Sequence, residues 1–287
     1  MRSYLFVPGD SSRKLEKSLG SGADALIIDL EDSVSPSGKD EARRITAGFL
    51  AEARKEASRP KFFVRVNDLA TGLTVQDLDA VMETGPDGIV LPKAIGGNDV
   101  SHLAAIIAVR EAEFGLPDGT TSIMAIGTET ARSVFQLGTF RGASHRLVGI
   151  AWGGEDLSAD LGAETNRGDD GHYTDPYRLA RSLTLMGAAS AEVDAIDTVY
   201  TSFKDIDGLA AECRAARRDG FSAKMAIHPA QVPVINDTFA PSESEIAKAK
   251  AIVAAFADNP STGVVAIDGE MIDMPHLKRA QRLLKRA

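Results

Sequence analysis

Short apolar runs rich in Val, Ile and Leu recur along the chain: "SYLFV", "ALIID", "FFVRV", "GIVLP", "SIMAIG", "LVGIAW", "AIDTVY" and "KMAIH". Between them lie stretches such as "SSRKLEKSLGSG", "KDEARRITAGFLAEARKEAS", "TVQDLDAVMETG", "VSHLAAIIAVREAEFG" and "DIDGLAAECRAARRDG". There apolar residues return at spacings of three and four, the period of a helix that buries one face. Several of these stretches carry Ser, Thr or Asp near the start and Gly near the end, the residues that cap helices. Nearly continuous apolar strands alternating with amphipathic helices predict parallel strands covered on the outside. Eight such strands, each with its helix, match a closed (β/α)8 TIM barrel better than an open sheet, and no Gly-rich dinucleotide turn follows the first strand.

The pattern changes after the eighth strand. "SESEIAKAKAIVAAFADN" predicts a helix entered through Pro241, and "VVAIDGEMI" has two apolar arms around Asp268 and Gly269, a hairpin signal. A basic helix then starts near Pro275. The expected division is a barrel over residues 1–235 and a helix–hairpin–helix extension over 236–287, serving as a lid or as a contact with an oligomer partner. A length of 287 residues allows two domains, but barrels of this kind commonly reach it as one unit.

Composition narrows the class. The chain is 44% hydrophobic and 25% charged, and no segment approaches the roughly 18 uninterrupted apolar residues of a membrane helix, so no membrane partner is expected. A net charge of -9 argues against a nucleic-acid surface, while leaving room for local basic spots that hold small anions. The single cysteine, Cys213, falls in a helical stretch, which excludes a disulfide framework or a cysteine metal site and fits a reducing compartment. The amino terminus enters a strand at Ser3, so the expectation is a cytoplasmic protein without a targeting peptide.

In a barrel, the residues just past each strand share the rim on which such enzymes place their chemistry. Those residues are "PGDSSRK", "LEDSV", Arg65 and Asn67, Lys93, Glu129, Glu155 and Asp156, Tyr200 and His228. Glu129 and Asp156 end neighbouring strands and can converge, and two converging carboxylates repel unless a proton or cation lies between them. Oxygen donors without Cys or paired His favour magnesium, or manganese, with positions left for water and substrate oxygens. Neither acid has an obvious cationic partner in its own loop; a pair of salt-bridged surface acids is the alternative. Gly153 and Gly154 allow a sharp turn and bring backbone amides beside Asp156. Arg65, at the end of an apolar strand, needs an anion: Glu31 or Asp32 within the chain, a substrate carboxylate or oxyanion, or both. Arg13 and Lys17 share a helix face, either solvated or meeting phosphates. His228 is read as a hydrogen-bonded rim residue, and Trp152 as filling space near the rim.

The segments "RSYLFVPG", "LIIDLEDSV", "VRVN", "LPK", "GTETA", "GGEDL", "AIDTVY", "IHPAQV" and "DGEMIDMPH", in this order, resemble the citrate lyase beta-subunit-like (CitE-like) proteins of the HpcH/HpaI aldolase superfamily over almost the whole chain. The resemblance implies a Mg2+-dependent barrel enzyme acting on CoA thioesters of hydroxy acids, commonly a homotrimer or hexamer. It implies metal ligands at Glu129 and Asp156 and a substrate arginine at Arg65. It also implies substrate contacts around Gly154, Glu155 and Asp156, and CoA contacts at Phe6, Arg13, Lys17, Ile227 and His228. Asp273, in "MID", falls where the family carries an acid/base, often contributed to a neighbouring subunit. Set between apolar residues, Asp273 is expected to be buried with a raised pKa; the competing reading makes it the cap of the helix that follows. Glu31 and Asp32 are expected to orient Arg65 or metal-bound water. The superfamily's aldolases for free hydroxy-keto acids carry a histidine base after the second strand. This chain has Asp29, Leu30, Glu31 and Asp32 there, which argues against a simple aldolase.

Together these readings imply reversible cleavage of a hydroxyacyl-CoA such as malyl-CoA or citramalyl-CoA into a keto acid and acetyl-CoA. The alternatives are thioester hydrolysis or malate synthase-like chemistry at the same site, a citrate lyase beta subunit, or a non-catalytic subunit that binds CoA or an organic acid.

Overall fold

The computed structural model describes residues 1–267 and 269–285. Its strands are β1 (Ser3–Pro8), β2 (Ala25–Asp29), β3 (Lys61–Arg65), β4 (Gly88–Leu91), β5 (Ser122–Ile126), β6 (Leu147–Ala151), β7 (Asp194–Asp197) and β8 (Ala223–Ala226). They are hydrogen-bonded in sequence order and close into a barrel, β1 pairing in parallel with β8. This is the (β/α)8 TIM barrel expected from the apolar runs.

Side chains alternate across each strand, so every second residue enters the barrel. Tyr4, Ala25, Ile27, Phe63, Met124 and Ile196 belong to the buried interior cluster, with Phe6 packed against it. Tyr4 meets Phe63 edge to face at 5.6 Å between ring centres. The same alternation carries Asp29 and Arg65 inward one layer higher, and the β2–β3 register sets them directly opposite each other. The change from apolar to ionic side chains along the barrel axis thus marks the rim.

β7 is shorter than "AIDTVY" suggested and ends at Asp197, leaving Tyr200 in the following loop. Asp197 is fully buried, accepting hydrogen bonds from Trp152 Nε1 at 2.7 Å and Lys224 Nζ at 2.8 Å. Lys224, itself fully buried on β8, also donates to Glu212 at 2.8 Å. A buried ammonium held by two carboxylates avoids the cost of an unpaired charge.

The chain divides into two compact units, Met1–Thr238 and Phe239–Ala287. In the second, the helix Glu243–Asp258 starts at Ser242, whose hydroxyl accepts from Glu245 N while Glu245 caps in return. The antiparallel strands β9 (Val264–Ile267) and β10 (Glu270–Asp273) follow, then the helix Met274–Leu284. Gly269 has φ +80°, as a tight turn requires; Asp268, the other expected turn residue, lies outside the described residues. Ile252, Phe256, Ile272 and Ala280 form this unit's own core. Among the described residues no helix is long and apolar enough to cross a membrane.

Candidate active site

The site grows from the rim ends of β2 to β6. Asp29 grips Arg65 with both oxygens, accepting from Nε and Nη2 at 2.7 Å each. Burial alone would raise the Asp29 pKa, but the Arg65 hydrogen bond and charge, with the Glu31 backbone N–H, hold it below the usual range. Burial likewise opposes the charge on Arg65, and Asp29 and Glu31 more than restore it. The Arg65 guanidinium also lies over the Phe6 ring at 4.9 Å. Its Nη1 is 2.9 Å from Glu31 Oε2, which is buried without an aligned hydrogen bond. The expected partners of Arg65 were Glu31 and Asp32; Asp29 takes the principal place because register puts it opposite.

The loop after β2 is pinned from behind. Lys39 Nζ donates to the carbonyls of Leu30 and Glu31 at 2.7 Å each, and Asn67 Nδ2 donates to Leu30 O at 3.0 Å. Glu31 and Asp32 therefore project from a fixed backbone towards Lys93 at the end of β4.

Lys93 has φ +50°, a left-handed conformation that costs a residue with a side chain about 1–2 kcal/mol. Its backbone N–H donates to Glu129 Oε2, and its ammonium meets Glu31 Oε1 at 2.5 Å, Asp32 Oδ2 at 3.3 Å and Asp156 Oδ1 at 3.3 Å. Asp156 thus has a cationic partner from outside its own loop, on an element the sequence reading had not joined to it. Burial pushes the Glu129 carboxyl up to about 8, assisted by the charge of Asp156 and only partly offset by the Lys93 N–H. Burial raises Glu31 as well, despite the opposing charges of Arg65 and Lys93.

After β6 the chain must pass Glu129 closely. A Cβ on Gly153 would lie 2.6 Å from Glu129 Cγ, so only glycine leaves that carboxylate in place. Gly154 faces Trp152 and Tyr173, whose rings stand edge to face at 5.0 Å. Trp152 does more than fill space: its bond to Asp197 anchors this turn. The helix Gly154–Leu161 then carries Glu155 and Asp156 in its first turn, where acids favour the helix dipole. Glu155 Oε1 accepts from Asn166 Nδ2 at 2.8 Å, while Asp156 turns to Lys93.

The other residues singled out from the sequence have separate settings. Arg13 and Lys17 are exposed on the helix Ser12–Ser18, with no ion pair to either among the described residues. Ile227 and His228 are exposed beyond β8; Gln231 Oε1 accepts from both backbone N–H groups, and His228 stacks on Phe203 at 4.9 Å. Because β8 adjoins β1, this corner neighbours the start of the Ser12–Ser18 segment. Asp273 departs from expectation. It is half-exposed, caps the helix Met274–Leu284, and is paired with His276 Nδ1, whose hydrogen bond holds its carboxyl below the usual range. Ile272 points to the opposite face of β10 and is buried, and Met274 already belongs to the following helix and is exposed, so the apolar neighbours do not enclose Asp273.

Sequence reasoning passed over Lys93 as a ligand-cluster residue and Asp29 as the Arg65 clamp. The available signals were the position of Lys93 directly after "LP" and the inward parity of Asp29 with Ile27.

Residues 2–229 match the family described as HpcH/HpaI aldolase/citrate lyase. The citrate lyase subunit beta of Leuconostoc mesenteroides subsp. cremoris is 35% identical over 288 residues, covering 100% of this chain and 93% of that protein. A (3S)-malyl-CoA thioesterase of Cereibacter sphaeroides is 35% identical over 293 residues, covering 100% and 94%. The solved structure of CitE from Mycobacterium tuberculosis with magnesium, acetoacetate and coenzyme A is 31% identical, covers 100% of this chain and 97% of that one, and superposes with a TM-score of 0.77. This barrel protein belongs to the HpcH/HpaI aldolase/citrate lyase family.

Proposed function

We propose that the rim is the active site of a Mg2+-dependent carbon–carbon lyase that cleaves a hydroxyacyl-CoA, such as malyl-CoA or citramalyl-CoA, reversibly into a keto acid and acetyl-CoA. The observation that carries this reading is the gathering at one rim of buried Glu129, closely passed by Gly153, and Asp156 in the helix turn just beyond, with the Glu129 carboxyl pushed up to about 8 by burial and by Asp156. A divalent cation relieves both causes. The donor set fits the ion: carboxylate oxygens without sulfur, on Glu129 just past the end of β5 and Asp156 in the first turn of the helix after β6. Among the described residues no three or more His, Cys, Asp or Glu side chains group so that they could hold a metal ion by themselves. Two carboxylates plus water and substrate oxygens is how Mg2+ is commonly held. Glu129 and Asp156 would hold it, and when bound it supplies Lewis-acid polarisation of a substrate oxygen.

The chain's own groups have distinct tasks in this reading. Asp29 locks the orientation of Arg65, and Nη1, which pairs with Glu31 Oε2, is the nitrogen turned to the substrate oxygen on which charge develops. Arg13 and Lys17, which have no ion pair among the described residues, offer their cations to CoA phosphates, and Phe6, Ile227 and His228 border the rest of that ligand. The Gly153–Gly154 turn admits the substrate carboxylate beside Glu155 and Asp156. Asp273 exchanges the proton at the thioester α-carbon, from its own or a neighbouring subunit of a homotrimer or hexamer. A second reading, hydrolysis of the same thioester, is favoured by the full-length relative named as a malyl-CoA thioesterase.

The ion is the first point to test. Mg2+ should raise the melting temperature of the wild-type protein by mass action, and Asp156→Ala should abolish the shift. An equal shift in the variant would remove the ion from this pair and the reading with it.

A further inference from the structure

We infer that Lys93 is a tethered counter-cation beside the Glu129–Asp156 ion site: its ammonium pairs with Asp156 in the metal-free protein and competes with a divalent ion for that carboxylate. The inference rests on the metal-dependent reading above and concerns the side chain alone.

Among the described residues only Lys93 and Glu192 combine a side chain with a left-handed backbone, and Glu192 closes the helix Asp175–Ala191. Lys93 has no helix to close. Its backbone instead turns the N–H onto Glu129 and sends the ammonium across the rim to three further acids, Glu31, Asp32 and Asp156. Strain held at such a position marks a residue whose placement matters to the site. The other cation in the cluster, Arg65, is committed to Asp29 through Nε and Nη2. Lys39 spends its ammonium on two backbone carbonyls. Lys93 is therefore the cation paired with Asp156 among the described residues.

A divalent ion held by Glu129 and Asp156 would share the Asp156 carboxylate with this ammonium at close range. Like charges at that separation repel strongly in a partly buried site. Ion binding then loosens the Lys93–Asp156 contact, and part of the intrinsic affinity is spent on doing so. The consequence is an acid cluster that stays assembled without its ion and an ion held less tightly than the carboxylates alone would hold it.

Calorimetric titration with Mg2+ tests this on two neutral variants, Lys93→Met and Lys93→Gln, the second keeping a hydrogen-bond donor for Glu31. Both should bind Mg2+ at least about tenfold more tightly than wild type, and Lys93→Arg, which keeps the charge, should stay within about threefold. Equal or weaker binding by the neutral variants would overturn the inference. A measurement on the wild-type protein avoids any question of folding: reductive methylation of Lys93, read by mass spectrometry against exposed Lys248, should accelerate severalfold at saturating Mg2+. An unchanged rate would also overturn it. If wild type binds Mg2+ and these changes fail to occur, the role of Lys93 falls and the metal-dependent reading stands. If wild type binds no Mg2+, both fall.

Discussion

A carboxyl enclosed by protein and facing a second carboxylate keeps its proton more firmly than one in water. Glu129 is in that position, raised from 4.5 to about 8 by burial and then by Asp156. The native state therefore binds a proton that the unfolded chain releases, and stability falls as pH rises between those values. Its contribution is full below about pH 4.5 and is lost as pH passes about 8. Metal-free wild type and Glu129→Gln, unfolded in denaturant over this range, should diverge, wild type losing stability relative to the variant as pH increases. Parallel curves would show that Glu129 is not held in this way. The two acids and Arg65 were legible as residues because strand ends expose them to pattern reading. Their partners were less so: Asp29 requires the β2–β3 register, and Lys93 requires knowing that β4 brings its ammonium to the acids after β2 and β6.

At the level of elements, apolar runs located all eight barrel strands, since a strand covered on both faces leaves little room for polar residues. The exception hides in β8. Lys224 reads as the polar start of "KMAIH", yet it lies buried with Asp197 and Glu212 from two other elements, a pairing that exists only after the helix Ile206–Asp219 packs. This cluster fixes Trp152 and, through it, the turn that passes Glu129. Asp273 shows the converse: its local role as a helix cap is directly visible, and its chemical role rests on the proposal. Asp273→Asn preserves a capping oxygen but cannot accept the proton. If Asp273 serves the chemistry, turnover should fall at least about 10²-fold while melting temperature and Mg2+ affinity stay nearly unchanged. Full turnover in the variant would leave Asp273 as a cap and move the acid/base role to Glu31, Asp32 or a bound water.

For the whole molecule, the barrel and the C-terminal unit each have a core of their own. The barrel could be read from periodicity because each strand and helix obeys a local rule. Substrate choice follows no such rule, since it depends on loop positions and on groups brought by different parts of the chain. Family membership supports a lyase-type enzyme, and the proposed substrates, CoA thioesters of hydroxy acids, leave lyase and thioesterase chemistry as the two outcomes to separate. The decisive measurement is product analysis after incubating the protein with Mg2+ and a panel of hydroxyacyl-CoA esters that includes malyl-CoA and citramalyl-CoA. A lyase should release a keto acid and acetyl-CoA in equal amounts, and only with Mg2+, from at least one ester. Release of free CoA and the intact hydroxy acid, or no turnover of any ester, would contradict the lyase reading.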